Sequence, residues 1–261
     1  MTLAAPLDLA TARILLSNDD GIAAPGLKIL ERVLRTLCRD VWVVAPEREQ
    51  SGAGHSLTLR QPLRIRKLRP KRFAVDGTPT DAVLLGIKQI MRDKPPSLLV
   101  SGINLGGNMG EDVTYSGTVA AAMEGTLMNV PSIAFSLAVG NGAAPRWDTA
   151  AQMVAEVVQR LVTLPWPGNT LMNVNIPNIP ADQVTGIHAA AQGQRPIGDN
   201  TVESMDPRGR RIYWIGPNRF DEAIEAGTDI DVVAKGGVAV VPIHLDLTHR
   251  DGLEALRRVF P

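Results

Sequence analysis

The sequence predicts an α/β protein with a Rossmann-like, mainly parallel sheet and helices on both faces of that sheet. Three observations lead to this fold class. Short apolar runs stop at loops rich in small, oxygen-bearing residues, segments with helical spacing separate the runs, and the two patterns alternate along the chain. Strand, helix and strand in that order form a parallel sheet, because each crossover places its helix on a face of the sheet.

The first predicted strand, residues 14–17, leads directly into Asn18, Asp19, Asp20 and Gly21. An ordinary turn is one explanation, since Asp and Gly are favoured in turns for backbone reasons. A metal site is the other explanation. Two neighbouring carboxylates repel each other unless a cation offsets their charge, and a hard divalent ion with oxygen ligands is the simplest such cation.

Two further strands are predicted at residues 41–45 and 97–100, and each ends at a polar loop. The loops span residues 46–54 and 101–110. Helices are predicted between the strands, because apolar residues recur there at helical spacing. These positions are Leu27, Leu30, Leu34 and Leu37 before the second strand and Val83, Leu84, Ile87 and Ile90 before the third. Ligands of open parallel sheets bind outside the carboxyl ends of the strands, so we expect the three loops to converge on one crevice.

Five short motifs follow one another along the chain. They are Ser17-Asn18-Asp19-Asp20-Gly21, Val44-Ala45-Pro46 with Ser51-Gly52, Gly77-Thr78-Pro79-Thr80-Asp81, Ser101-Gly102-Ile103-Asn104 and Tyr115-Ser116-Gly117-Thr118. Together they resemble the SurE (survival protein E) family of 5'-nucleotidases, and the similarity extends over about residues 13 to 250. Five motifs in order are far more specific than any one of them alone.

The resemblance implies a divalent-metal-dependent phosphatase that hydrolyses nucleoside 5'-monophosphates to nucleoside and phosphate. Nucleoside 3'-monophosphates and short polyphosphate are further substrates that it implies. It also implies one divalent ion per subunit, either Mg2+ or Mn2+ with Ca2+ as a third candidate. Members of the family assemble through an extended C-terminal segment, so a homodimer or homotetramer is expected.

The family's site residues carry over to eight positions of this chain. The metal ligands map onto Asp19, Asp20, Ser51 and Asn104, and the phosphate contacts onto Asn108, Ser116, Gly117 and Thr118. Asp19, Asp20 and Asn108 take the catalytic roles. The ligand types agree with this assignment, because carboxylate, hydroxyl and amide oxygens are hard donors that favour Mg2+, Mn2+ or Ca2+ over zinc. The histidines are not expected to bind the ion, since His55, His188, His244 and His249 have no metal-ligand spacing.

A helix is predicted directly after Ser116, over the alanine-rich residues 119–124. Its first N–H groups would face the crevice, where unpaired donors and a partial positive charge suit a phosphate. Plain N-capping by Ser116 or Thr118 explains the same residues. The segment Thr78–Asp81 is expected to be structural, as a capping box at the start of another helix.

Several other enzyme classes are excluded. No G-x-x-x-x-G-K-[ST] phosphate loop is present, and Gly52-Ala53-Gly54 lacks the third glycine of a dinucleotide fingerprint, which excludes an NTPase and a dehydrogenase. An aspartyl-phosphate phosphatase places its nucleophile and its acid two residues apart, whereas Asp19 and Asp20 are adjacent and alternate in direction on a strand. A non-catalytic module that senses a nucleotide or a metal remains the alternative to a phosphatase.

Composition argues against nucleic acid and membranes as partners. The 27 basic and 27 acidic residues cancel, and no apolar run approaches the roughly 18 to 20 residues that span a bilayer. The basic cluster at residues 60–72 is expected to be a charged sheet edge, because no aromatic stacking residues accompany it. The single cysteine, Cys38, lies on the apolar side of a helix. It is expected to be a buried, inert thiol, which fits a reducing, cytoplasmic compartment.

We expect one α/β domain over residues 13–261, preceded by a disordered tail at residues 1–12 that lacks the pattern of a signal peptide. Residues 186–235 have no clear helical periodicity and are predicted to form an extended β arm. Within the arm, residues 212–215 are strongly apolar, so we predict that they pack on a second subunit. Pairing with the edge of the chain's own sheet is the alternative. The other predicted elements are a helix at 147–164, strands at 171–176 and 238–243, and a helix from about residue 251.

Overall fold

The chain folds around one large β-sheet. The computed structural model describes residues 7–140, 142–194, 201–215 and 224–260. The strands are β1 (Arg13–Ser17), β2 (Asp40–Pro46), β3 (Ile65–Arg69), β4 (Arg72–Val75), β5 (Leu98–Leu105), β6 (Ser132–Ala138), β7 (Thr170–Pro177), β8 (Ile187–Ala189), β9 (Thr201–Met205), β10 (Arg211–Ile215) and β11 (Val238–His244). In the described residues β9 and β10 form a separate antiparallel hairpin, and the other strands form the main sheet.

Helices cover both faces of the sheet. They are α1 (Pro25–Leu37), α2 (Pro79–Leu85), α3 (Asp112–Tyr115), α4 (Gly117–Leu127), α5 (Trp147–Leu161), α6 (Asp229–Ala234) and α7 (Arg250–Arg257). The end of α2 continues into a wide turn over Gly86–Ile90, and a short 3-10 turn spans Ala181–Gln183. No helix of the described ranges combines the length and the apolar character that crossing a membrane requires.

The order of strands in the main sheet is β3-β4-β2-β1-β5-β6-β7-β11-β8. β1 pairs in parallel with both β2 and β5, so the chain builds the sheet first on one side of β1 and then on the other. Antiparallel pairing joins β3 to β4 and β11 to β7. The predicted mainly parallel, Rossmann-like sheet is therefore confirmed. Its order reverses between β1 and β5, which is the point where such sheets bind ligands.

The side chains of β1 alternate between two apolar layers. Ile14 and Leu16 pack with α1 and α5 on one face, whereas Leu15 packs with α2 and α4 on the other. Alternation follows from the two-residue period of a strand, and burial on both faces requires apolar residues at every position. The helical leucines Leu27, Leu30 and Leu34 of α1 are among the largest fully buried side chains of the first layer. Helix N-termini from both layers thus border the point between β1 and β5 where the strand order reverses.

Local sequence signals are confirmed where they depend on near neighbours. Thr78 caps α2, its hydroxyl accepting the Asp81 N–H at 3.1 Å while the Asp81 carboxylate accepts the Thr78 N–H at 2.9 Å. The basic residues of β3 form an exposed edge strand, as predicted. Cys38 is buried, and its thiol donates to the Ala12 carbonyl oxygen at 3.1 Å.

The predicted tail and the predicted end of β5 are both corrected. Within the tail, Leu7 packs on the core and its N–H donates to the Val162 carbonyl oxygen at 2.9 Å. Residues 7–12 are therefore docked, because their apolar side chains gain burial, and residues 1–6 lie outside the described residues. β5 continues to Leu105 instead of stopping at Val100, with a register irregularity opposite β6.

The described residues of the predicted β arm form three parts, and residues 195–200 and 216–223 of the arm lie outside the described residues. β8 joins the main sheet beside β11, and α6 forms a short helix that Thr228 caps through the Asp231 N–H. Six residues are too few to show helical periodicity in a sequence, which is why this helix was missed. The hairpin of β9 and β10 is the extended portion, and Tyr213, Trp214 and Ile215 are exposed on it.

Candidate active site

The loop that leaves β1 is shaped by residues other than its carboxylates. Asn18 is fully buried, and its side-chain amide donates to the Gly21 carbonyl oxygen at 3.0 Å. Gly21 has a φ of +91°, and a Cβ built there would lie 3.0 Å from the Arg48 backbone, so glycine is required. The Gln50 N–H donates to the Asp19 carbonyl oxygen at 2.8 Å. These contacts tie the loop after β1 to the loop after β2.

The Asp19 carboxylate packs against the start of α4. The Thr118 hydroxyl and the Thr118 N–H both donate to it. A Cβ built on Gly117 would lie 2.7 Å from the Asp19 Cβ, so a side chain there would displace the carboxylate. Ser116 caps α4, because its Oγ accepts the Val119 N–H at 3.1 Å. The capping prediction is therefore confirmed, and Thr118 contacts a carboxylate rather than open crevice.

A cavity of about 510 Å3 opens where these loops meet, within the range of about 300 to 1,000 Å3 that is usual for small-molecule sites. Six of the eight predicted site residues line it, namely Asp19, Asp20, Ser51, Asn104, Asn108 and Ser116. Gly117 and Thr118 do not border it, since they lie against Asp19 on the side of α4. None of the four histidines borders it either, and His55 is paired with Glu124 at 3.0 Å.

The cavity is strongly acidic. The described lining contains no Lys, Arg or His, and it includes the carboxylates of Asp19, Asp20, Glu49 and Asp112. Burial raises the pKa of Asp19, although the hydrogen bond from Thr118 opposes the rise. Burial, and after it the charge of Asp19, raises the pKa of Asp20 from 3.8 to about 6. Ionised carboxylates are therefore unfavourable here without a cation.

The side chains of Ser51 and Asn104 each donate a hydrogen bond to a neighbouring residue. The Ser51 hydroxyl donates to Glu49 Oε1 at 2.9 Å. The Asn104 side-chain amide donates to the Gly106 carbonyl oxygen at 3.0 Å. Both hydrogen bonds leave oxygen lone pairs of Ser51 and Asn104 available, and outer contacts of this kind orient the ligands of metal sites. Two carboxylates, a hydroxyl and an amide oxygen in an acidic cavity fit a hard divalent cation.

Asn108 is the centre of a buried amide network. Its backbone N–H donates to Asn175 Oδ1 at 2.8 Å, and its side chain donates to Ser136 Oγ at 2.8 Å. Its carbonyl oxygen accepts from the side chains of Asn173 and Asn175 at 2.8 and 3.0 Å. The network fixes Asn108 to β6 and β7. One N–H of its side-chain amide then remains for a ligand in the cavity.

The sequence reasoning missed this supporting network. Asn173 and Asn175 stand two residues apart on a strand that is otherwise apolar, and both are fully buried. Side chains two apart on a strand point to the same face, and buried amides need partners. This spacing was the available signal that the carboxyl end of β7 supports a polar site. No comparable signal distinguishes Ser136 from other buried serines.

Comparison with known proteins gives consistent results. The family described as Survival protein SurE matches residues 14–199. A 5'-nucleotidase SurE of Paramagnetospirillum magneticum is 53% identical over 260 residues and covers 100% of both chains. A 5'-nucleotidase SurE of Rhodospirillum rubrum is 52% identical over 256 residues, covering 97% of this chain and 98% of the relative. The crystal structure of a SurE protein from Aquifex aeolicus superposes with a TM-score of 0.85 at 41% identity, covering 95% of this chain and 100% of that one.

Proposed function

The chain belongs to the SurE family, and we propose that it is a divalent-metal-dependent phosphatase that hydrolyses nucleoside 5'-monophosphates to nucleoside and phosphate. The observation that carries the metal dependence is the acidic cavity. A phosphate monoester is an anion, and the described lining offers it four carboxylates and no basic side chain. Repulsion between like charges would keep the substrate out unless a cation lies between them.

Asp19, Asp20, Ser51 and Asn104 would hold one ion per subunit. Mg2+ and Mn2+ are the first candidates and Ca2+ the third, because all four side chains offer oxygen atoms. The Thr118 hydroxyl and N–H both donate to the Asp19 carboxylate and would hold it in place for the ion. Ser51 and Asn104, the two neutral ligands, are likewise oriented by the hydrogen bonds that they donate to Glu49 and to the Gly106 carbonyl oxygen. The four ligands come from loops and strand ends that meet only in the folded chain.

When bound, such an ion acts as a Lewis acid on a phosphoryl oxygen and polarises a water molecule for attack. The chain's own contribution is binding and orientation. Asn108 would donate its remaining side-chain N–H to a phosphoryl oxygen, from a position fixed by β6 and β7. The Ser116-Gly117-Thr118 turn would add the partial positive charge of the α4 N-terminus. Because the Thr118 and Val119 amides are engaged and Gly117 does not border the cavity, the turn would act through this charge, and Ser116 is its member that lines the cavity.

Release of phosphate from 5'-AMP tests the function. We expect hydrolysis with Mg2+ or Mn2+, complete loss with chelator, and recovery when metal is restored. Asp19→Asn and Asp20→Asn should lose most activity at limiting Mn2+, because each removes charge from the ion without changing volume. The matched control is Asp182→Asn, an exposed carboxylate outside the cavity. Turnover near that of the wild type in either site variant would disprove the ligand assignment.

A non-catalytic sensor of nucleotide or metal is the alternative function. It would bind nucleoside monophosphate in a metal-dependent way but release no phosphate over hours. The same assay with 3'-AMP and tripolyphosphate defines the finer substrate range, which we propose to include both. Each of these substrates presents a terminal phosphoryl group to the same cavity.

We further propose that the hairpin of β9 and β10 mediates assembly into a homodimer or homotetramer. Val202, Met205, Tyr213, Trp214 and Ile215 are each more than half exposed on it. Val202 and Trp214 pair on one face of the hairpin, and Met205, Tyr213 and Ile215 lie on the other face. Exposed apolar side chains in such number are usual at protein interfaces. Analytical ultracentrifugation at micromolar concentration tests the proposal. We also propose a cytoplasmic location, which agrees with the one cysteine being a free, buried thiol.

A further inference from the structure

The cavity has a second chemical character beside its acidic one. Part of its lining is apolar and comes from the α1 N-terminus, the end of β5 and the first residue of α5. These residues are Ala24, Pro25, Gly26, Leu105 and Trp147. A phosphate and its metal need none of them. The metal-dependent chemistry of the proposed function therefore leaves this part of the cavity without a role.

Trp147 has a fixed position at this apolar end. The indole is half-buried and packs with the layer that contains α1 and α5. A Cβ built on Gly26 would lie 3.3 Å from Trp147 Cη2 and 1.9 Å from the Ile103 carbonyl oxygen. Glycine at this position therefore lets α1 approach β5 closely and lets the edge of the indole lie against the first turn of α1.

The phosphate end and the Trp147 end come from opposite faces of the sheet. Ser116 and Gly117 begin α4, which packs in the layer with α2. Trp147 begins α5, which packs with α1 in the other layer. The strand ends of β1 and β5, with Asp19, lie between the two helix starts. A ligand with its phosphate at α4 that crosses the strand ends therefore reaches Trp147 with its far end.

We propose that the base of the nucleoside monophosphate stacks on the indole of Trp147. The inference rests on the proposed phosphatase function and assigns the part of the substrate that the phosphate site does not hold. Stacking is available to every base, since every base has a π face. The other side chains of this end, from Ala24, Pro25 and Leu105, offer no hydrogen bonds to base edges. The enzyme therefore accepts purine and pyrimidine bases, with purines favoured by their larger stacking area.

The experiment compares 5'-AMP with ribose 5-phosphate, which carries the same phosphate on the same sugar carbon but no base. The readout is the ratio of kcat/KM for the two substrates. We expect Trp147→Ala to lower this ratio about ten-fold, as base–aromatic stacking energies predict. Trp147→Phe should restore most of it. The control is Trp42→Ala, which also removes a half-buried indole but from β2, outside the cavity.

Two results would overturn the proposal. One is an equal loss on both substrates, which would make Trp147 a structural residue. The other is an unchanged kcat/KM for each substrate, which would place the base elsewhere. If the wild type releases phosphate from neither substrate, the phosphatase assignment fails, and calorimetric titration with adenosine then tests the base site alone. Weaker adenosine binding by Trp147→Ala than by Trp42→Ala would support the site, and equal binding would refute it.

Discussion

Removal of the Asp20 charge should stabilise the metal-free protein. Burial and the neighbouring Asp19 charge raise the pKa of Asp20 from 3.8 to about 6. A carboxyl whose folded-state pKa is raised holds its proton more tightly in the folded state. Unfolding therefore becomes easier as pH rises through the interval between these two pKa values, and the loss is complete above it. Asp20→Asn keeps the volume of the side chain and removes this penalty.

The size of the effect follows from the same pKa values. The full difference corresponds to about 3 kcal/mol, at about 1.4 kcal/mol per pKa unit. Asp20 is partly exposed to solvent, which screens its charge, so we expect a gain of about 1 to 2 kcal/mol at pH 8. At pH 5 the folded state is largely protonated, and the gain should be about half as large.

Urea unfolding in the presence of EDTA, at fixed protein concentration and at both pH values, measures this gain. Asp182→Asn is the control and should change neither value. Added Mn2+ should reverse the ranking, because the wild type gains about 2.7 kcal/mol at a metal concentration of 100 times Kd and the variant gains much less. A metal-free Asp20→Asn protein that is no more stable than the wild type at pH 8 would refute the argument.

Three further predictions concern the ligands, the α4 contact and the hairpin. Ser51→Ala and Asn104→Ala should lose activity that millimolar Mn2+ partly restores, because neutral ligands contribute less than carboxylates; normal metal affinity in both variants would remove them from the site. Gly117→Ala should weaken Mn2+ binding at least ten-fold, measured by calorimetry, because its Cβ would push against Asp19; wild-type affinity would show that the carboxylate tolerates the shift. Trp214→Ser should lower the sedimentation coefficient at micromolar concentration, and an unchanged assembly would exclude the hairpin as its interface.

The residues and elements that the structure places as the sequence predicted carry their signal in their own type and immediate context. Asp19 and Asp20 are recognisable because adjacent carboxylates after a buried strand are unfavourable without a cation. The Thr78 capping box is recognisable because its partners stand three residues apart. The parallel sheet follows from alternating strand and helix patterns, since each pattern is local.

The parts that were missed depend on contacts between distant residues. Thr118 was expected to face a phosphate, yet its hydroxyl donates to Asp19, 99 residues away. The contact of Asn108 with Asn175 spans 67 residues. Neither pairing leaves a local sequence pattern. The two polar groups come within hydrogen-bonding distance only when the elements that carry them are assembled in the folded sheet. The sequence therefore indicates residues that line the cavity, but not the contacts that orient them.

The long sequence separation of these contacts also affects how activity is regained after unfolding. Asn108 reaches β6 and β7 in one half of the sheet, whereas Asp19 and Gln50 belong to the half that contains β1 and β2. Contacts distant in sequence form slowly, since the chain between them must first be ordered. On dilution from urea, helical circular dichroism should therefore return before phosphate release does. Hydrolysis requires both halves of the sheet to be correctly paired, whereas helix content does not depend on the pairing of either half.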